Sequence, residues 1–183
     1  MNIPNILTLL RIIMVPVLVI LLIQGSFFKA LIVFTLASLT DALDGFLARQ
    51  LNMQTELGAY LDPIADKALL ASCYVTLAIT GSIPAWLAVL VISRDVIILL
   101  GILVLFLMSV PFEIKPAMIS KVTTTSQIIT IFFILAAHSS MITHFYTLVN
   151  FLIWSTAFFT VISGLVYMHR GVRMISQYTP KAE

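Results

Sequence analysis

Six apolar stretches, each near the length needed to cross a bilayer, follow one another along this chain: residues 4–24, 28–48, 63–80, 84–108, 119–137 and 147–168. A spanning helix takes about 20 mainly apolar residues. With 61% hydrophobic and only 10% charged residues, the chain cannot cover a water-facing surface, for which roughly 25% charged is usual. The expected class is all-α and integral to the membrane, a bundle of six transmembrane helices. No composition shift, linker, low-complexity run or repeat divides residues 1–183, so one domain is expected. The opening MNIPNILTLLRIIMVPVLVILLI lacks a basic residue before its apolar part and a small-residue cleavage site, and is read as a retained first helix. Cys73, the single cysteine, reads as a small core residue.

Flanking charges set the orientation. With six spans both termini share a side, and that side collects Arg49, Lys115, Lys121, Arg170, Arg173 and Lys181, against Lys29 alone opposite. Both termini are expected in the cytoplasm. Pro63 and Pro84 are placed at helix beginnings, where the missing N–H costs nothing. GSIP at 81–84 reads as a tight turn, and Trp86, Phe145 and Tyr146 as an aromatic belt. His138, His144 and His169 fall at span ends and receive no role.

Charges left inside spans are Arg11, Asp41, Asp44, Asp66, Lys67, Arg94 and Asp95. Each costs about 2.5–3.5 kcal/mol at mid-membrane on insertion scales, and such residues face a bundle interior or a wet cavity. Five of the eight acids in the chain fall within DALDGFLARQLNMQTELGAYLDPIAD, residues 41–66. Of these, Glu56 reads as a cap or a solvated edge. On a helix, Asp41, Asp44, Gly45 and Ala48 share one face, and Asp62 and Asp66 share another, with Asp62 read as an N-cap before Pro63. If those faces meet, four carboxylates converge at the cytoplasmic end.

Converging carboxylates repel unless cations sit among them. All-oxygen ligation suits hard ions such as Mg²⁺, Mn²⁺ or Ca²⁺ and argues against zinc. Two divalent ions would balance four aspartates and suit a diphosphate substrate, while a spare carboxylate could take a proton. Gly45 and Ala48 permit close approach, and Arg49 offers a planar fork for a phosphate or a base.

The pattern D-x2-D-G-x2-A-R-x8-G-x3-D-x3-D is matched without departure by Asp41, Asp44, Gly45, Ala48, Arg49, Gly58, Asp62 and Asp66. It resembles the signature of the CDP-alcohol phosphatidyltransferases, and the similarity extends from IPNILTLLR (3–11) to the sixth span. The resemblance implies a dimeric six-helix membrane enzyme with two divalent cations, Mg²⁺ or Mn²⁺. Asp41, Asp44 and Asp62 would hold the metals, with Asp66 a further ligand and the general base. Gly45, Ala48, Arg49 and Gly58 would line the site for the cytidine nucleotide. An alcohol would attack the lipid-bearing phosphorus of CDP-diacylglycerol and CMP would leave.

IPN…LTLLR and LDP.ADK resemble the phosphatidylglycerol and cardiolipin branch of that family. Members that use glycerol 3-phosphate carry a second arginine eight positions after the first in the fourth span. Here Arg94 and Asp95 lie in ISRDVIILLGI, and Ile102 takes the second arginine's place. A small phosphate dianion needs several fixed cations, a bilayer-anchored phosphodiester fewer. The expected acceptor is therefore phosphatidylglycerol, giving cardiolipin, with glycerol 3-phosphate as the alternative. Arg94, Lys121 and Lys115 are the candidates for the acceptor phosphate. Arg11 could face the same cavity, snorkel, or pair with an aspartate. A bacterial inner-membrane location is expected, and nucleic acid is not among the expected partners. A cation-coupled transporter would place its carboxylates near the midplane, often with inverted repeats, and is the distant alternative.

Overall fold

Apolar runs of this length fold as helices because a backbone in lipid must satisfy its own hydrogen bonds. The computed structural model describes residues 3–51, 56–108, 118–139 and 146–177; the side chains of 3–8, 41–51, 56–63, 146, 175 and 177 lie outside the description. All regular structure among the described residues is helical: α1 (Ile3–Ile23), α2 (Phe27–Leu51), α3 (Glu56–Ile79), α4 (Ala85–Leu107), α5 (Met118–His138) and α6 (Tyr146–Gln177). The shortest have 21 residues, about 31 Å at 1.5 Å per residue, which matches a bilayer's hydrocarbon thickness. Among the described residues, Ala85–Leu107, Met118–His138 and Thr147–Met174 are long and apolar enough to cross a membrane, and Leu9–Ile23 and Phe27–Thr40 are shorter apolar segments.

Two boundaries differ from the sequence expectation. α3 begins at Glu56, so Pro63 lies inside the helix and Asp62 is not an N-cap. Proline interrupts one backbone hydrogen bond, but membrane helices tolerate it where neighbouring groups take over; Pro16 likewise sits inside α1. α6 continues nine residues past the expected end at 168, to Gln177. The apolar pattern stops there while the helix runs on through Arg170 and Arg173. Pro84 does open its helix, as the N-cap residue of α4 at φ −62° and ψ 131°.

α1 and α3 end alike. At Gly25 (φ 68°) the Ser26 N–H donates to Leu21 O at 2.9 Å and Gly25 N–H to Leu22 O at 3.0 Å. At Gly81 (φ 72°) Ser82 N–H donates to Leu77 O at 2.9 Å and Gly81 N–H to Ala78 O at 3.1 Å. This pair of bonds closes a helix on a left-handed residue, for which glycine has no steric penalty. The short connections that follow turn the chain straight back, so α1 with α2, and α3 with α4, are antiparallel neighbours.

α1 packs on α2 and α3, α3 on α4 and α5, α5 on α2, and α6 on α4 and α5. The core joins Leu18 and Leu22 of α1, Phe34 of α2, Cys73, Tyr74 and Leu77 of α3, Leu87 and Val91 of α4, Ile131 and Ile134 of α5 and Ile153 of α6. Large apolar side chains are as common outside as in: Ile13, Ile79, Leu100, Phe106, Phe151 and Phe158 are exposed. Meanwhile Arg11, Thr123, Gln127, Thr130, Thr156, Thr160 and Ser163 are buried. Apolar outside and polar inside is the distribution expected of a bundle solvated by lipid, where interhelical hydrogen bonds and not hydrophobic burial hold helices together. The α5–α6 seam is built this way. Thr156 bonds both Ser126 (2.8 Å) and Thr130 (2.7 Å), Thr123 donates to Phe159 O (3.1 Å), and Gln127 reaches Thr160 (3.5 Å). At the rim, the rings of Trp86 and Trp154 lie 5.3 Å apart.

Candidate active site

α2 runs toward Leu51 and α3 starts at Glu56, so the last turns of one and the first turns of the other lie at the same end of the bundle. Asp41, Asp44, Gly45, Ala48 and Arg49 fall on that part of α2, and Gly58 and Asp62 on that part of α3. Their side chains lie outside the described residues. Lys115 lies outside them altogether.

Asp66 is described, and it anchors the site. It lies on the wall of a small cleft of about 50 Å³ with Ala37 and Ser38 of α2, Leu69 and Leu70 of α3, and Thr124 and Ile128 of α5. Ser38 is one helical turn before Asp41, and Asp66 one turn after Asp62. The described lining of the cleft thus comes within one helical turn of Asp41 along α2 and of Asp62 along α3. Asp66 Oδ1 accepts a hydrogen bond from Arg11 Nη1 at 2.6 Å, and the Arg11 side chain is fully buried while that of Asp66 is 39% exposed. Of the roles open to Arg11 in the sequence, pairing with an aspartate is the one seen.

Arg94 is buried at the junction of α4, α5 and α6. Its Nη1 donates to Asp95 Oδ1 (2.6 Å), its Nη2 to Ser120 Oγ (2.6 Å) and Ser163 Oγ (2.7 Å), and its Nε to Ser163 Oγ (3.2 Å). The guanidinium also sits 5.8 Å from the ring centroid of Tyr167. These are the bonds of a planar fork clamped between helices. Lys121 lies on the exposed side of α5. Lys67 Nζ reaches the same Asp95 Oδ1 at 2.9 Å from α3. Lys67 and Asp95 stand out in the sequence as charges inside spans, but which helices they join is visible only in the fold.

Among the described residues no group of three or more His, Cys, Asp or Glu side chains gathers. The donor chemistry nonetheless fits a hard divalent cation: Asp66 offers carboxylate oxygen on a partly open wall, and the three aspartates that flank it along α2 and α3 are of the same kind.

Residues 1–162 match the family described as CDP-alcohol phosphatidyltransferase. The chain is 40% identical over 152 residues to the human protein named cardiolipin synthase (CMP-forming), covering 74% of this chain and 50% of that one. It is 42% identical over 122 residues to a probable phosphatidylglycerophosphate synthase of Mycobacterium tuberculosis, covering 63% and 56%. To the CDP-diacylglycerol–glycerol-3-phosphate 3-phosphatidyltransferase of Escherichia coli K12 it is 36% identical over 141 residues, covering 73% and 76%. The matched region thus spans about half the length of the human and mycobacterial relatives. On this match, which takes in every position of the aspartate motif, the chain belongs to the CDP-alcohol phosphatidyltransferase family.

Proposed function

We propose that this chain transfers the phosphatidyl group of CDP-diacylglycerol to phosphatidylglycerol, giving cardiolipin and CMP. The observation that carries the reading is Asp66, held by a buried arginine on the wall of a cleft whose lining residues Ser38 and Asp66 stand one helical turn from Asp41 and Asp62. The acceptor hydroxyl oxygen attacks the phosphorus that bears the diacylglycerol. The bond from that phosphorus to the bridging oxygen of the diphosphate breaks, and CMP takes the electron pair. Asp66 accepts the hydroxyl proton. Arg11 fixes the carboxylate's direction from below, so that the proton acceptor stays aimed into the cleft. Gly45, Ala48, Arg49 and Gly58 line the nucleotide side. Asp41, Asp44, Asp62 and Asp66 would hold two divalent cations, Mg²⁺ or Mn²⁺, whose charge would offset that of the diphosphate and of the departing CMP.

The cleft end of the bundle faces the cytoplasm in this reading, with all six helices crossing a bacterial inner membrane, both termini cytoplasmic and two copies forming a dimer. The α6 extension supports the orientation, because it carries Arg170 and Arg173 beyond the apolar pattern. Glycerol 3-phosphate as acceptor is the second reading, favoured by the mycobacterial and E. coli relatives. Against it stands Ile102, eight residues or about 12 Å along α4 from Arg94, where a second cation would be wanted. Labelled CDP-diacylglycerol given to the purified protein with each acceptor separately, with the lipid products resolved by thin-layer chromatography, decides between them. Cardiolipin formed from phosphatidylglycerol supports the first reading; phosphatidylglycerophosphate formed from glycerol 3-phosphate alone supports the second.

A further inference from the structure

Lys67 follows Asp66 directly on α3, so the two side chains leave the helix about 100° apart. Asp66 reaches Arg11 of α1 and the cleft toward α2 and α5. Lys67 reaches α4 instead, where its ammonium lies 2.9 Å from Asp95 Oδ1. That oxygen is also held by Arg94 at 2.6 Å. Two cations therefore share one carboxylate, and among the described residues this cluster keeps one positive charge in excess. Beside it, Arg11 pairs with Asp66. An excess charge among apolar helices is costly until an anion joins it.

Exposure says which of the two cations an anion can reach. The Arg94 side chain is 6% exposed and that of Lys67 is 37% exposed. Arg94 gives four of its five N–H donors to Asp95, Ser120 and Ser163. Lys67 has three donors and gives one to Asp95, which leaves two for a ligand among the described residues. The flank it occupies is turned away from the Asp62–Asp66 face, which the transferase reading gives to the diphosphate.

We infer that Lys67 is the cation that meets the phosphate of the acceptor alcohol, and that Asp95, clamped by Arg94, is a positioning residue that holds the ammonium next to Asp66. The inference rests on the transferase reading and relocates the acceptor contact from Arg94, buried and committed, to its neighbour across Asp95. The ligand chemistry is a phosphate mono- or diester on a polyol, which glycerol 3-phosphate and phosphatidylglycerol both supply.

The test is steady-state kinetics of CMP release by the purified full chain, with CDP-diacylglycerol and each acceptor varied in turn. Lys67→Met is expected to raise the KM of the productive acceptor about 10-fold or more, as for loss of a charge-assisted contact, with the KM of CDP-diacylglycerol little changed. Lys67→Arg should recover most of that loss. Asp95→Asn should shift the acceptor KM the same way by a smaller factor. Elution as a single species in detergent identifies folded variants, and Lys67→Gln carries the test if Lys67→Met misfolds, since it also removes the charge and must raise the acceptor KM while leaving the donor KM near wild type. Lys67→Met with a wild-type acceptor KM, or with both KM values raised equally, overturns the assignment. A wild-type chain that releases no CMP with either acceptor overturns the transferase reading and this assignment together.

Discussion

Arg11 of α1 and Asp66 of α3 form an ion pair at 2.6 Å across the bundle, the arginine fully buried and the aspartate partly open to the cleft. One helix thus supplies the carboxylate that the proposed reaction uses as its base, and another holds it. Removing one partner of a buried pair leaves the other uncompensated, at about 3–5 kcal/mol for full burial; the partial exposure of Asp66 brings the expected cost to about 3 kcal/mol. Arg11→Met should therefore lower the midpoint of thermal unfolding in detergent and cut kcat for CMP release at least about 10-fold. Arg11→Lys should regain part of the stability. A variant with wild-type midpoint and rate would remove Arg11 from the site.

Asp66→Asn keeps the shape of the side chain and loses its capacity to take a proton. Turnover should fall by about 100-fold or more, as for loss of a general base, while CDP-diacylglycerol binding stays measurable by titration. Asp41→Asn or Asp44→Asn should weaken that binding as well, because each removes a carboxylate that the proposed function assigns to metal binding. Equal effects of all three on binding and rate would contradict the division of labour.

Arg94 ties three helices together through Asp95, Ser120 and Ser163. Arg94→Ala should destabilise the bundle by about 3 kcal/mol, the low end for a broken buried pair, since it leaves the Ser120 and Ser163 hydroxyls without their donor while Asp95 keeps Lys67. Arg94→Lys should rescue only part of this, because a point ammonium cannot span all three acceptors. By contrast Thr156→Val, which removes the bonds to Ser126 and Thr130, should cost about 0.6–1.7 kcal/mol, the range for interhelical hydrogen bonds in a membrane protein. Thermal unfolding in one detergent ranks the three variants.

Chelation with EDTA should abolish CMP release, and Mg²⁺ or Mn²⁺ should restore it. Undiminished activity in EDTA would contradict the assignment of Asp41, Asp44, Asp62 and Asp66 to metal binding.

Much of this architecture can be read directly from residue spacing. Apolar length marks all six helices because a lipid-solvated backbone admits little else, and GSIP at 81–84 marks the end of α3. Pro63 misleads, since its preference for a first turn is only a preference, and α3 begins seven residues earlier. The end of α6 is missed because a helix leaving the bilayer loses its apolar signal before it loses its hydrogen bonds. Helical spacing also tells which aspartates share a face. It cannot tell that Arg11 meets Asp66, or that Arg94 and Lys67 share Asp95, because each of those contacts except Arg94–Asp95 joins different helices. Arg94 draws attention as a charge deep in a span, yet only the fold reveals which helices its bonds to Ser120 and Ser163 join.

In the proposed reaction this chain uses Asp66 to pass a phosphatidyl group from CDP-diacylglycerol to an alcohol. CMP release by the purified protein with Mg²⁺ and phosphatidylglycerol, measured side by side with Asp66→Asn, tests this. The wild type should give CMP and cardiolipin in equal amounts and none without an acceptor, and the variant almost none. CMP release that Asp66→Asn leaves intact, or no release with any alcohol acceptor, would contradict it.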